Sequence, residues 1–223
     1  MSLVFFLVVK LPEIVITMPN IYIKQILLDW WFVAAVPQPI SLKGGISMKA
    51  MAIVDSNWGI GNKGKLLVHI PGDMKAFKAM TLEKIVIMGR NTLESLPGKQ
   101  PLIDRVNIVL SRDLNYDRTD TNLITCHSIG DLINILKGFD TNDVYIIGGQ
   151  EIYNQFLPFC SVAYITKINK EYKADKHLMR IDEQKNWKLA WTSEVKYYKD
   201  IQYKSLRYTN KDYINILYGE NKL

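Results

Sequence analysis

Short apolar runs alternate with segments of helical periodicity from Met48 onward, and this alternation restricts the chain to few folds. MKAMAIVD (48–55), KIVIM (84–88) and DVYII (143–147) are typical of buried strands, and helical segments lie between them. Parallel strands need such crossovers, so the pattern predicts an α/β fold with a mostly parallel sheet. The other elements expected here are strands at VNIVLS (106–111) and NLITC (122–126), a helix beginning at Pro71, and helices at NTLESL (91–96), SIGDLINILKGF (128–139) and QEIYNQFLPF (150–159).

The C-terminal part changes character, because strand-like runs follow one another there without helices. SVAYITKI (161–168), WKLAWTSEVKYY (187–198) and IQYKSLRYT (201–209) have this form. Consecutive strands without crossovers pair antiparallel, so we expect them to complete the sheet in that orientation. The tail, 210–223, is ambiguous.

The first 47 residues are apolar but lack helical or strand periodicity. Charged residues interrupt their apolar runs before any reaches the roughly 18 residues that a membrane span needs, and a signal peptide's basic start is missing. Two interpretations stay open: an extension outside a domain that begins at Met48, or a segment that binds a membrane surface or a partner. The expected divisions are an extension at 1–47, a domain at 48–209 and a tail at 210–223.

Composition narrows the functional classes. The chain has 223 residues, 48% of them hydrophobic and 22% charged, which suits one domain with a full core. The net charge is +6, but the Lys and Arg residues are scattered among acidic ones and form no long basic run. The charge therefore does not indicate nucleic-acid binding, and it suits small anionic ligands equally well. Cys126 and Cys160 show no metal-ligand or disulfide pattern, so no metal is expected and the cytoplasm is the expected compartment.

An acidic residue occupies the apolar face of the helix that begins at Pro71. In the stretch IPGDMKAFKAM, Asp73 shares a face with Ala76, Phe77 and Met80. A first-turn aspartate can stabilise the helix dipole and cap free N–H groups. Alternatively, its carboxylate lines a cleft and pairs with a cationic or amidine-like ligand group. The segment alone leaves both interpretations open.

Three expected strands are followed by residues suited to anions. In open α/β sheets, ligands bind at the carboxyl ends of strands. Gly89-Arg90-Asn91-Thr92 follows the strand at 84–88, Ser111 and Arg112 come after VNIVL, and Gly148-Gly149 opens the helix that contains Tyr153. Glycines admit close approach of a phosphate, and helix N-termini attract anions. The common G-x-G-x-x-G and P-loop patterns are missing. The arrangement suits a long phosphorylated ligand beside a compact ring.

Four ordered motifs resemble those of dihydrofolate reductases. They are GIGNKGKLLVHIPGDMKAFK, IVIMGRNTLESL, RVNIVLSR and YIIGGQEIYNQFLP, and the resemblance covers 48–209. It implies a central, mostly parallel eight-stranded sheet flanked by about four helices. It also implies a monomer that reduces dihydrofolate to tetrahydrofolate with NADPH for one-carbon metabolism, and that binds antifolates such as methotrexate or trimethoprim.

The resemblance implies a substrate site around Asp73. This acid would bind the 2-amino group and N3 of the pterin, and would promote protonation of N5 through water or the pterin itself. Thr166 would hydrogen-bond Asp73 and the pterin amino group, and Arg105 would pair with the α-carboxylate of the glutamate tail. The residues that would line the pterin and aminobenzoyl pocket are Ala52, Ile53, Met74, Phe77 and Leu102.

The resemblance also implies an NADPH site along the same sheet edge. Ser111 and Arg112 would bind the 2′-phosphate that separates NADPH from NADH. The residues expected around the nicotinamide are Ile53, Ile60, Gly61, Leu66, Ile147 and Tyr153. Those expected near the diphosphate are Gly89, Arg90, Asn91, Thr92, Gly148, Gly149, Gln150, Glu151 and Ile152.

The chain departs from the family pattern beside the expected acid. Leu66-Leu67-Val68 stands where the family usually has Leu-Pro-Trp, and Val68 cannot donate a hydrogen bond as the indole does. Gly72 is often a larger residue. Two alternatives follow: a reductase of another pterin or pyrimidine, or a protein that keeps cofactor binding without catalysis. Arg105 favours folate, because only a ligand with a glutamate tail needs it.

Overall fold

A computed structural model describes residues 45–139 and 143–217. Within these residues the chain forms fourteen strands, four α-helices and three short 3-10 helices. The strands are β1 Gly45–Ile46, β2 Met48–Val54, β3 Gly59–Asn62, β4 Lys65–Leu66, β5 Ile85–Gly89, β6 Val106–Leu110, β7 Leu123–Cys126, β8 Val144–Gly148, β9 Cys160–Ile168, β10 Lys176–His177, β11 Trp187–Thr192, β12 Lys196–Tyr198, β13 Ile201–Asn210 and β14 Ile216–Leu217. The helices are α1 Pro71–Thr81, α2 Arg90–Ser95, α3 Ile129–Leu136 and α4 Gln150–Phe156, and the 3-10 helices are Pro97–Lys99, Leu157–Phe159 and Ile181–Glu183.

The central sheet confirms the predicted architecture. Eight strands lie side by side in the order β11, β13, β9, β2, β8, β5, β6 and β7, and β12 also pairs with β13. The strands from β9 to β7 in this order are all parallel to their neighbours. β13 is antiparallel to β9, and β11 and β12 are antiparallel to β13. The mostly parallel sheet and the antiparallel C-terminal strands are therefore both present.

Both faces of the parallel strands are buried, which explains why their sequences are continuously apolar. Alternate residues of β5 pack into different halves of the core. Ile85 and Ile87 join the cluster that contains Leu132 of α3, whereas Val86 and Met88 join the cluster that contains Ala76 of α1. Since side chains alternate across a strand, this division places α1 on the opposite face of the sheet from α3.

A small sheet, in which β3 and β4 precede α1 and β10 joins from residues 176–177, was not predicted. The buried carboxylate of Asp55 holds this segment in place. Its Oδ1 accepts hydrogen bonds from the N–H groups of Asn57 at 2.9 Å and Gly59 at 2.7 Å. Its Oδ2 accepts one from the N–H of Tyr172 at 2.9 Å. These strands are too short and polar to show period-two alternation.

The described chain extends beyond both expected limits of the domain. β1 pairs antiparallel with β14, one lying before residue 48 and the other after 209. Ile46 is 1% exposed and packs in the larger core cluster. The hydroxyls of Ser47 and Ser161 form a hydrogen bond of 2.5 Å. The expected limits stay a prediction, and the interpretations of 1–44 and 218–223 lie outside the described residues.

Candidate active site

Asp73 lies in the first turn of α1, and its side chain contacts the sheet. Pro71 occupies the start of the helix, and the N-cap residue Ile70 provides no side-chain cap. The hydroxyl of Thr166 on β9 donates a hydrogen bond of 2.5 Å to Oδ1 of Asp73. Thr166 is 2% exposed and lies opposite Ile53 in the parallel pairing of β2 with β9. The sequence placed Asp73 on the inward face, and the contact with Thr166 confirms that placement.

Burial dominates the electrostatics of this carboxylate. Desolvation raises the pKa of Asp73 above its ordinary value, while the Thr166 hydroxyl and the positive charge of Lys196 act in the opposite direction. A carboxylate in such surroundings gains most from a ligand that supplies charge and N–H donors together. An amidine-like edge meets both needs.

Arg105 lies on the loop before β6, with its guanidinium held beside α1. Its Nε donates to the carbonyl of Ile103 at 3.0 Å, and its Nη1 donates to Oγ1 of Thr81 at 3.1 Å. The guanidinium carbon lies 5.9 Å from the centre of the Phe77 ring. None of the ion pairs within the described residues includes Arg105. Burial lowers the pKa of Arg105, so this partly desolvated cation is suited to an anionic ligand group.

Asn107 fixes the loop that carries Leu102 and Arg105. It is fully buried, and its Nδ2 donates to the carbonyls of Leu102 at 2.9 Å, Arg105 at 3.2 Å and Asn122 at 3.2 Å. Its Oδ1 accepts from the N–H of Leu102 at 2.9 Å. Sequence reasoning missed this role, although a single amide within the apolar run VNIVL was the available signal.

Gly148 and Gly149 lie where β8 ends and α4 begins, close to Thr92. A Cβ at Gly149 would lie 3.2 Å from Oγ1 of Thr92, and one at Gly148 would lie 3.5 Å from the same atom. Gly148 has φ +128°, which side chains rarely permit. The hydroxyl of Tyr153 donates to the carbonyl of Met51 at 2.5 Å and thereby ties α4 to β2. A side chain at either glycine would therefore crowd the hydroxyl of Thr92.

Arg90, at the start of α2, is already engaged by carboxylates. Its Nη1 lies 3.0 Å from Oδ2 of Asp113, and its Nε lies 3.5 Å from Oε1 of Glu94. Its guanidinium carbon also lies 5.3 Å from the centre of the Tyr116 ring. A phosphate at this place would have to share Arg90 with these partners.

Ser111 and Arg112 follow β6, as expected, and His127 lies beside them. Ser111 is buried, and its Oγ accepts from the N–H of Asp113 at 3.2 Å, whereas the Arg112 side chain is exposed. Nδ1 of His127, directly after β7, lies 2.9 Å from the carbonyl oxygen of Ser111. His127 was missed because its proximity to Ser111 depends on the parallel pairing of β6 with β7.

The expected apolar lining is partly open to solvent. Met74 is 36% and Leu66 is 50% exposed. At the start of α4, Oε1 of Gln150 accepts from the N–H of His177 at 2.8 Å, which joins α4 to the small sheet. Of the remaining expected site residues, Ala52, Ile53, Ile60, Gly61, Phe77, Gly89, Leu102 and Ile147 are half-buried, Ile152 is buried, and Asn91 and Glu151 are exposed.

Two further properties bear on the kind of site. No group of three or more His, Cys, Asp or Glu side chains within 45–139 and 143–217 could hold a metal ion. Across the same residues, no helix is both long and apolar enough to cross a membrane.

The chain belongs to the dihydrofolate reductase family. The family model described as "Dihydrofolate reductase" matches residues 47–211. The chain is 34% identical over 137 residues to dihydrofolate reductase of Bacillus subtilis, which covers 61% of this chain and 77% of that protein. It is 33% identical over 150 residues to the Buchnera aphidicola enzyme of the same name, covering 67% of this chain and 87% of that one.

Other similar proteins are larger or have been solved with ligands. The chain is 37% identical over 139 residues to the bifunctional dihydrofolate reductase-thymidylate synthase 2 of Arabidopsis thaliana, covering 56% of this chain and 25% of that protein. It therefore spans about a quarter of the length of such relatives. A dihydrofolate reductase structure from Enterococcus faecalis, complexed with NADP(H) and RAB-propyl, has TM-score 0.66 and 26% identity, covering 74% of this chain and 97% of that one.

Proposed function

We propose that this chain reduces 7,8-dihydrofolate to 5,6,7,8-tetrahydrofolate with NADPH. Membership of the family supports the reaction. The observation that carries the proposal is the inward carboxylate of Asp73, hydrogen-bonded by Thr166 between α1 and β9. This arrangement places one acceptor group at the carboxyl end of the sheet, where ligands bind in α/β folds.

At the pterin end, the carboxylate of Asp73 would bind the amidine-like edge of the substrate through two charge-assisted hydrogen bonds. The hydrogen bond from Thr166 orients Oδ1 and limits rotation of the side chain. Half-buried Ala52, Ile53 and Phe77 would exclude water from the pterin and aminobenzoyl rings. Met74 and Leu102 complete the proposed lining.

At the other end, Arg105 would pair with the α-carboxylate of the glutamate tail. The network around Asn107 and the contacts to Thr81 and Phe77 hold the guanidinium before a ligand arrives. Preorganisation of this kind reduces the entropy lost on binding. Asp73 lies in the first turn of α1, whereas Arg105 contacts Thr81 at the other end of that helix. These two separated charges of opposite sign support a substrate with a cationic edge and an anionic tail.

NADPH, when bound, supplies the hydride. The glycine pair at 148–149, with Thr92 beside it, fits a diphosphate, because side chains at these positions would fill that space. Ser111 and Arg112 would hold the 2′-phosphate. The other proposed cofactor contacts are Ile53, Ile60, Gly61, Leu66, Gly89, Arg90, Asn91, Ile147, Gln150, Glu151, Ile152 and Tyr153.

The proton that accompanies hydride transfer goes to N5 of the pterin. Asp73 would promote this transfer through water or the pterin, since its carboxylate pairs with the far edge of the ring. Val68 packs with Ile53, Ile70 and Tyr203 in a small apolar cluster and offers no hydrogen-bond donor. The proposed route therefore does not depend on a side-chain donor at residue 68.

Absorbance at 340 nm on mixing the protein with NADPH and dihydrofolate tests the proposal. A decrease that requires both compounds, and is strongly slowed in Asp73→Asn, is the expected result. Oxidation of NADPH with another pterin or pyrimidine alone would identify the neighbouring activity. Cofactor binding without turnover would identify a binding protein.

The assembly and compartment are also proposals. The enzyme would act as a monomer in the cytoplasm, and methotrexate or trimethoprim would compete with dihydrofolate at Asp73. Light scattering of the purified full chain tests whether it is a monomer, and competition measurements test whether the antifolates displace dihydrofolate.

A further inference from the structure

The β12–β13 hairpin presents polar side chains to the same face of the sheet as Thr166. Tyr203 lies opposite Ile168 on β9, and Ser205 lies opposite Thr166. On its other side, Tyr203 pairs with Lys196. Directly opposed residues share a face, as do residues two apart on one strand. Lys196 and Tyr203 therefore share the face on which Thr166 meets Asp73.

Tyr203 reaches the first turn of α1. A Cβ at Gly72 would lie 3.3 Å from the Tyr203 hydroxyl oxygen. The ring is 9% exposed and belongs to the cluster that contains Ile70 and Ile168. Gly72, the residue before Asp73, thus leaves the space that this hydroxyl occupies, and the hairpin is packed against the helix that carries the acid.

The charges on the hairpin and on α1 act on one another. Burial raises the pKa of Asp73, and the positive charge of Lys196 opposes that rise. Burial also raises the pKa of Tyr203, and the charge of Asp73 adds to that effect. Thr166 on β9 contacts Asp73 directly, and the groups whose charges interact with Asp73 are Lys196 on β12, Tyr203 on β13 and Tyr153 on α4. Lys196 is the basic residue among these groups.

We propose that Lys196, which shares this face of the sheet with Thr166 and is the cross-strand neighbour of Tyr203, is a positioning residue that keeps the Asp73 carboxylate ionised for pairing with the substrate. Its consequence for turnover rests on the proposed function, since it assumes that ionised Asp73 binds the pterin. Burial of a carboxylate favours its neutral form, and a half-buried cation nearby opposes that tendency without forming part of the ligand pocket. The hairpin thus contributes to the acid although it supplies none of the expected ligand contacts.

The first test follows the Asp73 carboxyl by 13C NMR during a pH titration of the full-length protein. The resonance is assigned by its loss in Asp73→Asn. Lys196→Met should move the titration midpoint to higher pH, whereas Lys196→Arg should leave it close to that of the wild type. Lys204→Met is the matched control, because Lys204 is exposed on the adjacent position of β13, which faces the other side.

The second test measures steady-state reduction between pH 5.5 and 8. Lys196→Met should raise the KM for dihydrofolate by about two- to fivefold at the acidic end, as expected for one partly exposed ionic interaction. The difference should shrink as pH rises, and NADPH binding should be unchanged. A purely structural role would instead change KM equally at every pH.

The outcomes separate the two proposals. An unaltered Asp73 midpoint in Lys196→Met would overturn the positioning role, as would equal shifts in Lys196→Met and Lys196→Arg. A shifted midpoint in a protein that does not reduce dihydrofolate would keep the electrostatic role of Lys196 and reject the proposed function. NADPH binding and thermal melts of each variant establish that it is folded.

Discussion

Replacing Asp73 with Asn should lower activity and raise stability at neutral pH. Burial raises the pKa of Asp73 above its ordinary value of 3.8, so the folded protein binds this proton more tightly than the unfolded chain does. The contribution of Asp73 to stability is therefore most favourable below 3.8 and declines as pH rises through the folded-state value. The neutral amide of Asn avoids this loss while it can still accept the hydrogen bond from Thr166.

The size of the functional loss follows from the hydrogen bonds that change. One charge-assisted hydrogen bond that becomes neutral is worth about 1.5–3 kcal/mol, so kcat/KM for dihydrofolate should fall by at least about ten- to a hundredfold. The gain in melting temperature should be a few degrees, since about 1 kcal/mol corresponds to about 2–4 °C for a domain of this size. Affinity for NADPH should remain unchanged because Asp73 lies outside the proposed cofactor contacts.

Thermal melts of both proteins from pH 4 to 8, with turnover measured on the same samples, test this reasoning. The excess in melting temperature of the Asn variant over the wild type should be largest at neutral pH and should shrink towards pH 4. A variant that melts below the wild type at pH 7 would contradict the argument from burial. Near-normal turnover at pH 7 would remove Asp73 from the reaction. Thr192→Ser, a mild change on the outer strand β11, provides a control for handling and expression.

Three further changes test other parts of the structure. Thr166→Val removes a hydrogen bond to the Asp73 carboxylate that is worth about 1.5–3 kcal/mol and favours its ionised form. Dihydrofolate binding should therefore weaken most at acidic pH, whereas Thr166→Ser should bind nearly normally in the same titration. Arg112→Ala should reduce the preference for NADPH over NADH by about ten- to a hundredfold in kcat/KM, and Ser111→Ala should reduce it less; equal use of both cofactors by the wild type would reject this role. Ile46→Ala should cost about 2–5 kcal/mol in urea unfolding, and an unchanged midpoint would show that β1 does not contribute to the core.

The alternation of apolar runs with helical segments was sufficient to predict the parallel sheet and its four helices. Buried parallel strands are apolar on both faces, and each crossover helix has its own periodicity, so these elements are visible locally. The position of Asp73 on the inward face of its helix was predicted from the same helical periodicity. The named roles of Asp73, Arg105 and the cofactor residues came from resemblance to a family, and they stay proposals.

The small sheet, the β1–β14 pairing and the network of Asn107 could not be predicted from local patterns. Two-residue strands are too short to show a period, and one of the hydrogen bonds by which Asp55 orders its segment comes from Tyr172, far along the chain. Lys196 and Tyr203 are separated from Asp73 by more than a hundred residues. Their proximity depends on the order and register of β12, β13 and β9, which are set by long-range strand pairing and packing. Local composition therefore determined which elements form, whereas the tertiary structure decided which charges surround the acid.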